Sequence, residues 1–260
     1  MIRVMPAKGM KVDELKLAEA AAAALARLRE RAPLVMSLTN TVVENWTANC
    51  LLAVGARPAM VAETDEAVEL AARSGAVLVN VGTLTARQAE AMRGAVASAN
   101  RHGVPWVLDP VAVDKLAFRR REVERLIGLK PRMIRANRGE IDFLRGTVPT
   151  ASLEAIALLA TGEVDEIAMG AGSVPVRLAN GVPMLARVTG TGCAQGALAA
   201  AFCAVEPSPV VAAVATALTM AIAGEIAFAA ARRPGSFQVA LLDVLDAVRP
   251  EDLKERARFA

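Results

Sequence analysis

The chain has no tyrosine at all, and six Phe with two Trp bring its aromatic content to only 3% of 260 residues. Platforms for single-stranded nucleic acid stack bases on interleaved aromatics, so this composition argues against such a partner. Charge asymmetry is also missing. Thirty basic residues against 27 acidic ones leave a net charge of +3, spread along the chain rather than gathered in a stripe. Neither nucleic acid nor an acidic membrane is expected as a partner. Cysteine and histidine are scarce too: Cys50, Cys193, Cys203 and the single His102. A structural zinc site needs four N or S ligands, and an odd cysteine count without CxxC spacing does not make a disulfide framework. A reduced, cytoplasmic setting is the expectation. Residues 1–11 lack the apolar stretch of a signal peptide. The longest apolar run, residues 210–224, is shorter than a usual membrane span and is stopped by the charge of Glu225, so a buried helix is expected there and no membrane partner.

What the chain does have is apolar bulk. At 54% hydrophobic over 260 residues it can build a large core without metal or disulfide staples, as one domain over residues 1–260. Residues 13–30 carry a helical stripe with Asp13 as a cap. Residues 34–38 form a short apolar run, and residues 45–54 read as a helix with Gly55 as C-cap. The rhythm then repeats. Residues 59–62 read as a strand, and Thr64 caps a helix through Arg73. Residues 76–81 read as a strand, and Thr85 caps a helix ending at His102-Gly103. Residues 104–108 read as a strand. Residues 121–127, 133–136, 153–159 and 166–169 continue the alternation. The class this predicts is α/β, with a mainly parallel central sheet and helices on both faces. Residues 174–178 and 184–188 around Asn180-Gly181 read as a β-hairpin with a type I′ turn. Three helices are expected to start near Gly192, Pro209 and Ser236.

Ligands of open α/β sheets bind beyond the carboxyl ends of the strands. The polar residues there are few: Ser37 to Asn40, Asn80 to Thr83, Asp109-Pro110, Arg135 to Glu140, Thr161 to Glu163, and Val188 to Cys193. In the last of these, two glycines precede a long apolar helix, and backbone N–H groups at such a start can cradle an anion. An ordinary glycine turn reads equally well from that motif alone. Asp109 and Glu140 could hold Mg²⁺, or each could be a cap; Asn137 would be the N-cap of the helix that contains Glu140. Cys193 falls in a first helical turn, where a thiol pKa tends to fall. Cys50 and Cys203 read as core, and His102 as a helix C-terminus residue.

Seven stretches occur together in order: SLTNTVVENWTANCLLAVGARPAM, VLVNVGTLT, SANRHGVPWVLDPVA, IRANRGEI, TGEVDEIA, VTGTGCAQGALAAAFCAV and PGSFQVALLD. As a set they resemble the hydroxyethylthiazole kinase family. The resemblance implies a ribokinase-like fold, ATP and Mg²⁺ as cofactors, phosphorylation of the hydroxyethyl group of 4-methyl-5-(2-hydroxyethyl)thiazole in thiamine biosynthesis, and a homotrimer with shared sites. It implies that Met60 and Gly190 meet the thiazole through backbone, and that Asn40 and Gly82 line its pocket. Arg135 and Thr161 would contact the nucleotide, and Asp109, Asn137 and Glu140 would surround the metal-bound phosphates. Cys193 would take the general-base position beside Gly192. The same superfamily also contains other small-molecule kinases and nucleotide-dependent hydrate dehydratases, and a non-catalytic thiazole or nucleotide binder is a further alternative. After Val111 the chain reads Ala112-Val113-Asp114-Lys115 where the family usually has a glycine-rich loop.

Overall fold

Continuous apolar runs of four or five residues are too short for a core helix and suit strands covered on both faces. In the computed structural model, which describes residues 12–260, they form one eight-stranded sheet of order β2-β1-β3-β4-β5-β6-β7-β8. The strands are β1 (Leu34–Leu38), β2 (Arg57–Met60), β3 (Ala76–Asn80), β4 (Trp106–Asp109), β5 (Met133–Asn137), β6 (Ala157–Thr161), β7 (Asp165–Met169) and β8 (Val176–Leu178). The first six in space run parallel, and β7 and β8 continue the sheet by antiparallel pairing. Residues 1–11, to which the signal-peptide expectation refers, lie outside the described residues.

Alternate strand residues point to opposite layers. Val35, Leu78, Val107, Met133 and Leu159 join one apolar cluster. It is completed by α1 (Val12–Arg31), α2 (Glu44–Val54), α8 (Thr191–Val205), α9 (Pro209–Ala230), α10 (Pro234–Ala247) and α11 (Pro250–Arg256). Met36, Val77, Leu108, Ile134 and Leu158 join the other. There they meet α3 (Thr64–Ala71), α4 (Ala86–Arg101), α5 (Ala117–Gly128), α6 (Arg138–Thr147) and the single turn α7 (Thr150–Leu153). Among the described residues, α9 alone is long and apolar enough to cross a membrane; most of that helix is buried inside the protein.

Several local expectations need correcting. Asp13 falls in the first turn of α1 rather than before it. Thr64 is the first residue of α3, whose N-cap is Glu63 and carries no side-chain cap bond. The second strand spans residues 57–60, not 59–62; Pro58 is tolerated because β2 is an edge strand. Residues 153–159 split between α7 and β6. The hairpin does not form. Residues 183–187 make a 3-10 turn that opens with Pro183, which has no N–H for a ladder. Asn180 is absent from the residues with positive φ, so the type I′ turn, which needs two such residues, is not made either. Gly55 and Thr85 behave as expected. Gly55 has φ +100, in the left-handed region.

Thr85 and Gln88 form a reciprocal capping box at α4: Thr85 Oγ1 accepts from the Gln88 N–H at 3.2 Å, and Gln88 Oε1 accepts from the Thr85 N–H at 2.9 Å. Thr85→Ala should therefore lower the unfolding free energy by about 1 kcal/mol. Urea unfolding checks this; an unchanged midpoint would show that the box contributes nothing.

Candidate active site

Parallel register gathers the polar strand ends. Asn80 lies beside Asp109 across β3 and β4, and Asn137 lies beside Thr161 across β5 and β6. Helix α8 packs across β1, β3, β4 and β5, so its first turn meets these ends. Its N-cap, Gly190, has φ +91; a Cβ there would come within 2.8 Å of Val43 and Trp46. That conformation and that close approach both select glycine. At Gly192 a Cβ would come within 2.9 Å of the Arg135 guanidinium. First-turn N–H groups of a helix have no partner inside it. Here they lie beside a cation, which is the arrangement an anion needs.

One run of side-chain contacts joins the residues. Asn80 Nδ2 donates to Asp109 Oδ2 at 2.9 Å, and Asn80 Oδ1 accepts from the Gly82 N–H at 2.9 Å. Asn40 Nδ2 donates to Asn80 Oδ1 at 3.3 Å and to Cys193 Sγ at 3.4 Å. Arg135 lies 3.8 Å from Asp109 Oδ2 and donates to Thr161 Oγ1 at 3.0 Å and Gln195 Oε1 at 3.2 Å. Asn137 caps α6: its Oδ1 accepts from the Glu140 N–H at 2.9 Å, and Glu140 returns the bond to the Asn137 N–H at 3.0 Å. The second Glu140 oxygen accepts from the Ala112 N–H at 2.7 Å. Glu140 thus ties the loop after β4 to the loop after β5.

Burial dominates the electrostatics. Asp109 is 1% exposed. Burial pushes its carboxyl up to about 7, with Glu140 adding and Arg135 and Asn80 opposing. Burial also raises the Cys193 thiol, and the Asp109 charge adds to that. The expected fall at a helix start is therefore corrected: burial raises the Cys193 thiol above its usual value, so it is a protonated thiol at neutral pH. Asp165 accepts from the Gly162 N–H at 2.9 Å and is pushed up to about 6 by burial. Cys50 and Cys203 are buried, with thiols pushed up to about 12. His102 ends α4, its Nδ1 2.9 Å from the Ser98 carbonyl.

A cavity of about 980 Å³ is lined by Arg135, Asn137, Thr161, Gly192 and Gln195 together with Asn180, Val182 and Met220. The structure thus brings together Asn40, Gly82, Asp109, Arg135, Thr161, Gly192 and Cys193, while Asn137 lines the cavity and is bonded to the buried Glu140. Gly190 sits one residue before the cradle, against Val43 and Trp46. Met60 lies apart, half-buried at the end of the edge strand β2. Three further residues belong to the site and were not singled out: Asn80, Gln195 and Asp165. Asn80 stood at a predicted strand end. Gln195 lies one helical turn after Gly192, where a polar residue inside an apolar helix was the available signal.

Comparison with known proteins gives the family and the fold. The family model for the hydroxyethylthiazole kinase family matches residues 25–151 and 148–251. A hydroxyethylthiazole kinase of Akkermansia muciniphila is 47% identical over 264 residues, covering 94% of this chain and 97% of that protein. The solved structure of the hydroxyethylthiazole kinase protein from Pyrococcus horikoshii superposes with a TM-score of 0.86 at 36% identity, covering 92% of this chain and 98% of that one. A ribokinase-like superfamily protein from Enterococcus faecalis has a TM-score of 0.64 at 12% identity, covering 95% and 99%, and shows the shared ribokinase-like fold.

A carboxyl whose pKa is raised by folding binds its proton more tightly folded than unfolded. From Asp109 this gives stability that is full below its unfolded value near 4 and is lost as pH rises towards 7. Asp165 adds the same sign over a window ending near 6. Asp109→Asn should flatten the fall in unfolding free energy between pH 4 and pH 7. Urea titrations at stepped pH measure it, and equal slopes in the two proteins would refute the burial argument.

Proposed function

The chain belongs to the hydroxyethylthiazole kinase family, and on that premise we propose that it transfers the γ-phosphoryl group of ATP to the hydroxyethyl oxygen of 4-methyl-5-(2-hydroxyethyl)thiazole, in thiamine biosynthesis. The observation that carries the reading is the junction of Arg135, Thr161 and the first turn of α8 on one cavity wall, with Asp109 and Cys193 next to it.

Phosphoryl transfer asks mainly for positioning and charge stabilisation. Arg135 is held by Gln195 and Thr161, which leaves its planar fork fixed for phosphate oxygens. The free N–H groups at Gly192 and Cys193 take the developing charge of the transferred group. The residues fit Mg²⁺ in one way. Asp109 and Glu140 offer hard oxygen donors, but no group of three or more His, Cys, Asp or Glu side chains gathers among the described residues. Such a sparse set suits a cation held largely by phosphate oxygens and water, and it would supply charge neutralisation there. A buried Asp109, short of compensating positive charge, fits that role. Asn40 and Gly82 shape the pocket next to Cys193. Cys193, a thiol rather than a thiolate, acts only as a relay: its sulfur takes the alcohol proton as its own S–H proton passes to an oxygen of the transferred phosphoryl group, late in a loose transition state that needs no full deprotonation beforehand. The three free cysteines suit a reducing cytoplasm.

Purified protein with Mg-ATP should convert the thiazole alcohol to its phosphate. Arg135→Ala should raise the KM for ATP about tenfold or more through loss of a charged hydrogen bond of roughly 1.5–3 kcal/mol, with little change in the KM for the thiazole. Cys193→Ala should slow turnover by about 10²-fold, and Cys193→Asp should retain or raise it. Product analysis and a kinetic series check this. ATP use that is indifferent to the thiazole would sink the reading.

The subunit arrangement follows from the same premise. We propose a homotrimer in which Met60 of one subunit faces Gly190 of a neighbour. Support comes from β2, which has no strand on its outer side, and from Val42 and Leu52, which are 68% and 57% exposed beside it. Light scattering should give three times the chain mass of 27.1 kDa. A fully active monomer would overturn the arrangement.

A further inference from the structure

Glu225 is the one charged side chain of α9, a 22-residue helix that is otherwise apolar or small. Its carboxylate is 16% exposed, yet two segments distant in sequence, residues 180–181 and Arg258, converge on it. It accepts from the Gly181 N–H at 2.6 Å, from Asn180 Nδ2 at 3.2 Å, and from both terminal nitrogens of Arg258 at 2.6 and 3.2 Å. Asn180 closes the ring. Its Nδ2 donates to the Arg256 carbonyl at 2.9 Å, and its Oδ1 accepts from the Arg258 N–H at 2.7 Å. Residues 257–260 run along the free edge of β8. The Ala179 N–H donates to the Arg258 carbonyl at 2.8 Å, the Ala260 N–H donates to the Arg177 carbonyl at 3.0 Å, and Phe259 bridges to Leu178. The hairpin that the Asn-Gly pair seemed to signal is replaced by this clasp.

The clasp has a functional address. Ala179 to Pro183 line the 980 Å³ cavity that Arg135 and Thr161 also line. Met220 and Ala221, one turn before Glu225, line that cavity as well. Gly224 lets Leu185 of the same lining pack within about 3 Å of where a Cβ would stand. Without the clasp the 179–183 segment is a short loop between β8 and a 3-10 turn, and Gly181 sits at φ +123. Such a segment has many accessible conformations to lose on binding. The ion pair and its hydrogen bonds restrict it before the ligand arrives.

We propose that Glu225, together with Asn180 and Arg258, is a positioning set for the nucleotide: it pre-orders a segment that lines the same cavity as Arg135 and Thr161. The proposal depends on the reading of this cavity as the ATP site. None of the three residues touches the reacting atoms, so the effect falls on nucleotide affinity and not on the chemical step.

The test is steady-state kinetics with separate titrations of ATP and thiazole on wild type, Glu225→Ala, Glu225→Gln, Arg258→Ala and Arg258→Lys. Arg258 is 51% exposed, so its variants keep the fold even where Glu225→Ala does not. Arg258→Ala and Glu225→Gln should raise the KM for ATP by about three- to tenfold, on the scale of a half-exposed charged contact. The KM for the thiazole, and kcat at saturating ATP, should stay within about twofold. Arg258→Lys should recover part of the loss, and the ATP penalty of Arg258→Ala should be absent when Glu225 is already Ala. An unchanged KM for ATP in Arg258→Ala and Glu225→Gln overturns the proposal, as does a fall in all three parameters together. Failure of the wild type to saturate with ATP overturns the ATP reading and this proposal with it.

Discussion

A carboxyl group with almost no exposure holds its charge only if protein groups replace the water it has lost. Asp109 is in that position at the end of β4, and the site is arranged around it. Asn80 donates to one of its oxygens, Arg135 stands 3.8 Å away, and Gly196 leaves room where a Cβ would press within 3.1 Å of the same oxygen. These partners do not fully offset the desolvation, since the carboxyl is still pushed up to about 7. At that value Asp109 can take up a proton when Arg135 is removed, so the loss is smaller than for a pair that must stay charged. Arg135 therefore eases the burial of this carboxyl, and a further cation near Asp109 would be met by a carboxylate short of positive charge.

The pairing also explains why α8 is built from small residues. Gly192, Gly196 and the alanines between and beyond them bring the helix close to the strand ends. The guanidinium of Arg135 lies against the glycine of the first turn, while Gln195, one turn on, holds its Nε. A larger residue at either glycine would push the helix off the sheet and separate the cradle from the carboxylate. Backbone N–H groups, cation and carboxylate are thus kept in register by close packing.

The parallel core was legible because buried strands are written as short, uninterrupted apolar runs, and β1 and most of β3 and β4 could be read that way. The positions of Asp109, Arg135, Thr161 and Gly192 at strand ends followed from the same runs. Other features depend on partners distant in sequence. Asn180-Gly181 is a strong local turn signal, but Arg258 and Glu225 claim its hydrogen bonds, from 78 and 45 residues away. The thiol of Cys193 was placed correctly in a first turn, yet its acidity was inferred in the wrong direction. A local pattern shows the helix start but not the burial beside Asp109 that raises the thiol. Among the described residues no hydrogen bond or strand pairing joins Met60 to Gly190, so only the resemblance relates the two.

The loop after β4 shows how a departure from a familiar pattern can be accommodated. Ala112 stands where the resemblance led one to expect a glycine-rich stretch, and it holds φ +58. A left-handed residue with a Cβ costs about 1–2 kcal/mol. Its N–H is held at 2.7 Å by Glu140, an ionisable carboxylate that is itself anchored to the Asn137 N–H. A hydrogen bond to a charged group contributes about 1.5–3 kcal/mol, enough to match or exceed the strain. Glu140 can do this only because α6 begins immediately after β5, with Asn137 as its cap. The loop after β4 is therefore kept in place by a neighbouring helix start instead of by glycine's own freedom.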